Sequence, residues 1–147
     1  MSASESNQDV DAVMRGYAEK AVKLARRSRG AMLDYSLKSV YQVEQMAAAI
    51  RGRTESGLHA DAYGDPSPDW DPSEYPDYPE LALTLGAYIG EVIRRRWGGN
   101  WHDPGRGARL QVGSEDLNPC GLAYFRLNDG KDNLAKYVRR VAKKLGG

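Results

Sequence analysis

Residues 81–101 read LALTLGAYIGEVIRRRWGGNW, and this stretch decides the fold. Apolar side chains cover almost the whole circumference of a helix up to residue 93, which predicts a central helix buried on most sides. Arginines follow at 94–96, where the negative end of the helix dipole favours cations. Gly98 and Gly99 predict the end of the helix. Gly86 and Gly90 share one side of it, so a neighbouring element can approach closely there.

One carboxylate, Glu91, interrupts the apolar run. Arg94 and Arg95 follow it by three and four residues, with the acid first, which is the favourable order for ion pairs within a helix. The simplest interpretation is therefore an intrahelical ion pair. A sharper alternative is a partly buried carboxylate tuned for recognition or proton transfer, in a functional polar cluster with Trp101 and His102.

Helices and strands are predicted on both sides of this central helix. Three- and four-residue spacing of apolar side chains predicts helices, and alternation predicts strands. Asp34 or Ser36 is the expected N-cap of the second helix. The order predicts an α+β fold with three N-terminal helices, a two- or three-stranded antiparallel sheet and a C-terminal helix. The further helices are expected at about 9–29, 36–51 and 133–145, and the strands at 108–112, at 121–127 and around Trp101.

A loop at about 53–79 separates the second and third helices. It holds five of the seven prolines, which exclude a helix or a central strand. From Thr54 to Glu80 there are eight acidic residues and no Lys or Arg. The rest of the chain therefore carries all 21 basic residues against twelve acidic ones. A loop of this length in a compact domain is usually functional or disordered.

Aromatic residues recur along this acidic loop, although acidic disordered spacers usually lack them. They are expected either to pack back on the body of the protein or to dock on a partner. A third possibility is that the loop docks on the arginines at 94–96 as an internal lid. The predicted partner-binding residues are Asp65, Asp69, Trp70, Asp71, Glu74, Tyr75, Asp77 and Tyr78.

Composition limits the possible classes of protein. A chain of 147 residues, 41% hydrophobic and 28% charged, fits a single domain over residues 1–147. A single cysteine excludes an intramolecular disulfide. The polar, acidic start does not resemble a signal peptide, and the apolar run is too short to cross a bilayer. We therefore expect a cytoplasmic protein that does not associate with a membrane.

Catalytic chemistry has little support in the sequence. His59 and His102 are the only histidines, and neither has the spacing of a metal motif. Cys120 has the character of an ordinary buried thiol. The glycines after the central helix lie at the wrong helix end to bind an anion. We expect no catalytic residues, no metal and no cofactor.

Nucleic-acid binding has modest support. Basic clusters lie at 26–29, 94–96 and 139–144, and Trp97 and Trp101 are available for stacking on bases. The acidic loop would repel phosphate groups, and no known nucleic-acid-binding motif is present. This function is an alternative to protein binding.

Three segments together resemble a group of small bacterial proteins that share a domain of unknown function. They are LDYSLKSVYQVE at 33–44, LGAYIGEVIRRRWGGNW at 85–101 and RLNDGKDNLAKYV at 126–138. The group's patterns are similar to LDYS..SL and LGAYLGEVIRR..GG.W. The resemblance covers most of residues 31–140 apart from the acidic loop. It implies a fold and no established chemistry, although some proteins of this kind look like immunity partners of secreted toxins.

The sequence thus favours a small non-enzymatic module that binds a protein, and a basic partner suits the acidic loop. The most specific version is an immunity-type protein that binds and neutralises a toxin. Nucleic-acid binding through the Arg and Lys clusters is the first alternative. A small-ligand-binding or enzymatic domain around Glu91 and His102 is the second.

Overall fold

The computed structural model describes residues 3–55, 78–103, 108–129 and 133–146. Within these ranges, helices surround a small antiparallel sheet, so the predicted α+β class with three N-terminal helices and a C-terminal helix is confirmed. The elements are α1 (Ala3–Arg29), α2 (Ser39–Glu55), α3 (Tyr78–Trp97), β1 (Asn100–His102), β2 (Arg109–Val112), β3 (Glu115–Leu117), α4 (Pro119–Asp129) and α5 (Leu134–Lys144).

Helix α3 is the centre of the core, as its apolar circumference predicts. It makes its most extensive contacts with α1 and α4. A Cβ atom added to Gly86 would overlap the backbone of Cys120 in α4, and one added to Gly90 would overlap the ring of Trp101. The predicted close approach at these glycines is therefore confirmed. Helix α3 ends at Trp97, and Gly98 follows with a φ of 87°.

The sheet has the order β1-β2-β3, with both pairs antiparallel. Trp101 lies opposite Leu110, and Leu110 lies opposite Leu117. All three are buried, so one row of side chains across the sheet joins the core. The strand predicted at 108–112 is confirmed as β2, and the extended piece around Trp101 is confirmed as β1.

The strand predicted at 121–127 is wrong, because this segment forms α4. Asn118 accepts a hydrogen bond from the Gly121 N–H through its side-chain oxygen, at 3.0 Å, and Pro119 is the first helical residue. An Asn cap followed by Pro is a typical helix start. Ala123 and Leu127, four residues apart, are fully buried. The remaining strand of the sheet lies earlier, at 115–117, where no strand was predicted.

Both helices that flank the acidic segment extend further into it than predicted. Helix α2 continues through Gly52 to Glu55, and α3 already includes Tyr78 and Pro79. Helix α2 begins at Ser39, after a turn in which the Ser36 hydroxyl oxygen accepts the Ser39 N–H at 3.1 Å. The cap predicted at Ser36 is thus confirmed, although the first helical residue comes later than predicted.

Candidate functional site

The Glu91 carboxylate is the best-connected acidic group of α3, and its side chain is completely buried. Its Oε2 accepts hydrogen bonds from Arg94 Nε at 2.7 Å and from Trp101 Nε1 at 2.9 Å. Its Oε1 accepts a further bond from Arg94 Nη2 at 3.1 Å. The predicted intrahelical ion pair is confirmed for Arg94. The indole N–H of Trp101 is a partner that helical spacing could not indicate.

Opposing effects determine the pKa of Glu91. Burial raises the pKa, because a charged carboxylate is poorly solvated in the core. The hydrogen bonds from Arg94 and Trp101, with the positive charges of Arg94 and Arg95, outweigh burial and leave the pKa below its ordinary value. Glu91 is therefore ionised at neutral pH and saturated with donors, which suits a structural role.

Asp11 of α1 joins the same cluster from the other side. Its Oδ1 accepts the backbone N–H of Trp101 at 3.0 Å. Trp101 is thus held by Asp11 through its main chain and by Glu91 through its ring. We call Asp11, Glu91, Arg94 and Trp101 the tryptophan junction, which ties α1, α3 and β1 together.

A second feature is the turn before α2, where Tyr35 adopts a φ of 64°. An aromatic residue rarely adopts this left-handed conformation, and such strain costs about 1–3 kcal/mol. The Tyr35 N–H donates to Tyr88 Oη at 2.8 Å, and the hydroxyl groups of Tyr88 and Ser39 lie 2.6 Å apart. The two tyrosine rings pack with centroids 4.8 Å apart. Contacts from the core helix therefore hold the strained turn in place.

Arg95 contacts this turn rather than the Glu91 carboxylate. Its guanidinium lies over the Tyr35 ring, 3.5 Å from the centroid. Beside it is a cleft of about 430 Å³, lined by Tyr35, Ser36, Leu37, Val92, Arg95 and Arg96. We call this the arginine cleft. It brings together residues of two segments, LDYS and GEVIRRR, that belong to the predicted family resemblance, of which only the second is specific on its own.

His102 lies apart from both features. Strand alternation places Trp101 in the core and His102 on the outer side of the sheet. His102 Nε2 lies 3.1 Å from Asp116 Oδ1, and Arg109 Nε lies 2.9 Å from Asp116 Oδ2. The hydrogen bond from His102, followed by that from Arg109, lowers the pKa of Asp116 against the opposing effect of desolvation. The five residues predicted as one polar cluster are therefore found in three separate groups.

Cys120 is half-buried at the contact between α4 and α3. Burial raises the pKa of its thiol to about 12. A thiol with such a pKa is almost entirely protonated at neutral pH and is a poor nucleophile or metal ligand. This agrees with the ordinary structural role predicted for it.

The nucleic-acid hypothesis meets one correction. Trp101 is completely buried, so its ring cannot stack on a base, while Trp97 is half-buried with Arg96 over its ring at 5.8 Å. Basic side chains do gather on α5, where they line a shallow cleft of about 450 Å³. Its lining residues are Lys136, Arg139, Arg140 and Lys143.

Most of the predicted partner-binding residues lie outside the described residues. Tyr78 is the first residue of α3. The others are Asp65, Asp69, Trp70, Asp71, Glu74, Tyr75 and Asp77.

The structure reveals another aromatic surface that the sequence analysis missed. Tyr124 and Phe125 of α4 are 40% and 52% exposed. Had the Asn118–Pro119 cap been recognised, helical spacing would have placed Phe125 opposite the side of Ala123 and Leu127, with Tyr124 beside that side.

Among the described residues, no group of His, Cys, Asp and Glu side chains is arranged to hold a metal ion. None of the helices in the described ranges combines the length and apolar character needed to cross a membrane. No protein-family model, curated protein or solved structure matches the chain. The family resemblance therefore stays a prediction. The features of the described residues that bear on function are the tryptophan junction, the arginine cleft and the exposed aromatic pair.

Proposed function

We propose that this protein is a protein-binding module, and in its most specific form an immunity-type protein that binds and neutralises a toxic protein. The observation that carries the proposal is the exposed aromatic pair of α4. Phe125 is 52% exposed and Tyr124 is 40% exposed, although large aromatic side chains are normally buried. Exposed aromatic residues are typical centres of binding energy in protein interfaces.

The aromatic pair lies on a helix that is anchored in the core. The two rings make an edge-to-face contact, with centroids 6.3 Å apart and planes at 76°. Ala123 and Leu127 of the same helix pack in the core. A partner would therefore meet two rings on a fixed helix, which reduces the conformational entropy lost on binding.

Charge supports a basic partner. The eight acidic residues between Thr54 and Glu80 concentrate negative charge in one segment. Such a segment attracts a positively charged protein over a distance and increases its association rate, while desolvated aromatic residues supply the affinity. The nucleic-acid-binding cleft of a nuclease toxin has the required positive charge.

The test is a capture experiment with the intact protein and three variants. Phe125→Ala with Tyr124→Ala should abolish recovery of the partner, and deletion of residues 60–78 should slow its association. Val13→Ala is the matched control, because Val13 is 54% exposed on α1, on a different helix from the pair. Partner recovery that survives the double substitution, with unchanged melting temperatures, would refute this surface as the binding site.

The α5 cleft supports a second candidate, nucleic-acid binding. Lys136, Arg139, Arg140 and Lys143 recur at three- and four-residue spacing and lie on one side of the helix. Phosphate contacts of this kind weaken steeply with salt. We expect that, if this function holds, a labelled oligonucleotide binds at low salt and that Arg139→Glu with Arg140→Glu removes binding. Undiminished binding to the charge-reversed protein would exclude α5 as the contact.

A further inference from the structure

We propose that the arginine cleft binds the phosphate group of a small phosphorylated molecule. The site is independent of the aromatic pair on α4 and is formed by the turn before α2 and the last turns of α3. Arg95 and Arg96 supply its positive charge. Among the described residues, none accepts a hydrogen bond from either guanidinium, whereas Arg94 is bound to Glu91 and Arg126 to Glu44.

The position of Arg95 leaves its hydrogen-bond donors available. Its guanidinium lies over the Tyr35 ring at 3.5 Å, so the ring occupies one face of the group. The N–H donors of guanidinium lie in its plane and point outward from the stack. The ring thus fixes the cation without using its donors, and a tetrahedral oxyanion can receive two parallel hydrogen bonds from such a fork.

The turn adds a second source of positive potential. Within the described part of the chain, the N–H groups of Leu37 and Lys38 have no acceptor, while the Ser39 N–H is bound to Ser36. They lie at the positive end of the α2 dipole, which favours an anion. This is independent of the two arginines, which come from another helix.

Strain at Tyr35 indicates that the turn is maintained for its shape. Its φ of 64° is unfavourable for a tyrosine and is held by the bond from its N–H to Tyr88 Oη. The nearby carboxylates are already engaged: Asp34 Oδ1 accepts both the N–H and the hydroxyl of Ser36, and Glu19 accepts the Tyr35 hydroxyl at 3.2 Å. Both acids thus bind the turn itself.

The dimensions favour a phosphate ester over a bare ion. A volume of about 430 Å³ is far larger than one phosphate group requires and falls in the range of small-molecule sites. Leu37 and Val92 form an apolar part of the wall. They can contact the organic portion of the ligand while the arginines bind its dianionic group. Two guanidinium groups match a dianion better than they match a single carboxylate.

The experiment measures binding to the full-length protein by titration calorimetry and by the Nε–H resonances of arginine. The probes are inorganic phosphate, a sugar monophosphate, a nucleoside monophosphate and acetate, which carries a single carboxylate. We expect both esters or one of them to bind more tightly than inorganic phosphate and acetate, with shifts confined to the Arg95 and Arg96 resonances. Binding of all four probes with equal affinity would overturn the proposal, as would binding of none.

Two variants and a control locate the site. Arg95→Gln and Arg96→Gln should each weaken ester binding about tenfold, the effect of losing one charge-assisted hydrogen bond. Arg139→Gln removes an exposed arginine of α5 and should leave the affinity unchanged. An equal loss in Arg139→Gln would show general attraction and would refute the site. Arg96→Gln should leave partner capture intact, so the failure of one proposal is distinguishable from the failure of the other.

Discussion

Among the described residues, the carboxylates of Glu91 and Glu44 each tie elements of the fold together, and they differ in where their partners come from. Glu91 of α3 binds Arg94 three residues later, and Trp101 just beyond the helix. Glu44 of α2 binds Arg126 of α4, 82 residues away, at 2.6 Å, and also accepts the Leu134 N–H at the start of α5. We call the second group the Glu44 junction. The bonds of Glu91 are local in sequence, whereas the Glu44 junction forms only after three helices have assembled.

Burial also separates the two junctions. The Glu91 side chain has no exposed surface, whereas Glu44 and Arg126 are each 12% exposed. Removing one partner of a buried ion pair lowers the stability of the fold by more than the intact pair contributes to it, because the other partner is left buried and unsatisfied. Replacing each glutamate by alanine should therefore lower the free energy of unfolding by different amounts, with the larger loss at Glu91.

The largest effect is expected at the tryptophan junction. Glu91→Ala leaves the guanidinium of Arg94 and the indole N–H of Trp101 without an acceptor, and it opens a cavity in the core. The free energy of unfolding should fall by about 3–5 kcal/mol. Urea denaturation followed by tryptophan fluorescence measures it. A loss below about 1 kcal/mol, the range of exposed ion pairs, would mean that this junction is not structural.

A smaller loss is expected at the Glu44 junction. Glu44→Ala removes the acceptor of Arg126 and of the Leu134 N–H, but the Arg126 side chain is 12% exposed, so water can replace the acceptor that it loses. The expected decrease in the free energy of unfolding is about 2–3 kcal/mol. Asp116→Ala is the matched control, because its carboxylate is 44% exposed and solvent screens its ion pairs, so the loss should be much smaller than for Glu44→Ala. Equal losses for Glu44→Ala and Asp116→Ala would contradict the ranking by burial.

The same contrast explains what could be predicted from sequence. The ion pair of Glu91 with Arg94 depends on helical spacing, and the end of α3 depends on two glycines, so both were predictable. The Glu44–Arg126 pair was not, because nothing in the spacing of residues 82 positions apart indicates contact. Trp101 was predicted to lie in a polar cluster with Glu91, but helical spacing could not specify the bond from its indole N–H, because Trp101 lies beyond the end of α3.

Helix α4 shows a different limit. Residues 121–127 alternate in a way that suits a strand, and the same residues suit a helix with Ala123 and Leu127 on its buried side. Short apolar segments are often ambiguous between the two periods. The close contact between Gly86 and Cys120 favours the helix, and that contact is tertiary. Only the Asn118–Pro119 pair carries a local signal for the start of this helix.

The arginine cleft was partly predictable. Its arginines belong to the segment that makes the predicted family resemblance specific, and the cap at Ser36 follows from residue type. The left-handed conformation of Tyr35 does not, because it depends on the Tyr88 hydroxyl 53 residues away. The stacking of Arg95 on Tyr35 was also not predicted. Helical spacing suggested an ion pair of Arg95 with Glu91 just as well as one of Arg94 with Glu91.

The uncharged hydroxyl of Tyr88 in α3 should contribute less to the free energy of unfolding than either charged junction. Tyr88→Phe removes the hydroxyl that accepts the Tyr35 N–H and pairs with Ser39. Ser39 keeps its bond to the Ser36 carbonyl, so one donor is left unsatisfied. The free energy of unfolding should fall by about 1–2 kcal/mol. Tyr41→Phe, at an exposed position of α2, is the control and should change it by less than about 0.5 kcal/mol.

The smallest expected effect is the pH dependence of the stabilisation by Glu91. It distinguishes the contribution of the charge of Glu91 from that of its shape and hydrogen bonds. The folded-state pKa of Glu91 lies below its ordinary value of 4.5, so the unfolded chain binds a proton more readily than the folded protein. The resulting stabilisation is fully present above the unfolded-state pKa and is lost as the pH falls through the folded-state pKa.

Glu91→Gln has no titrating group at this position. The difference in unfolding free energy between the wild type and Glu91→Gln should therefore be constant from pH 7 to about pH 5 and should shrink below it. Urea denaturation of both proteins across this range measures the difference. A difference that persists unchanged to pH 3 would mean that Glu91 acts through its shape and hydrogen bonds, with no contribution from its charge.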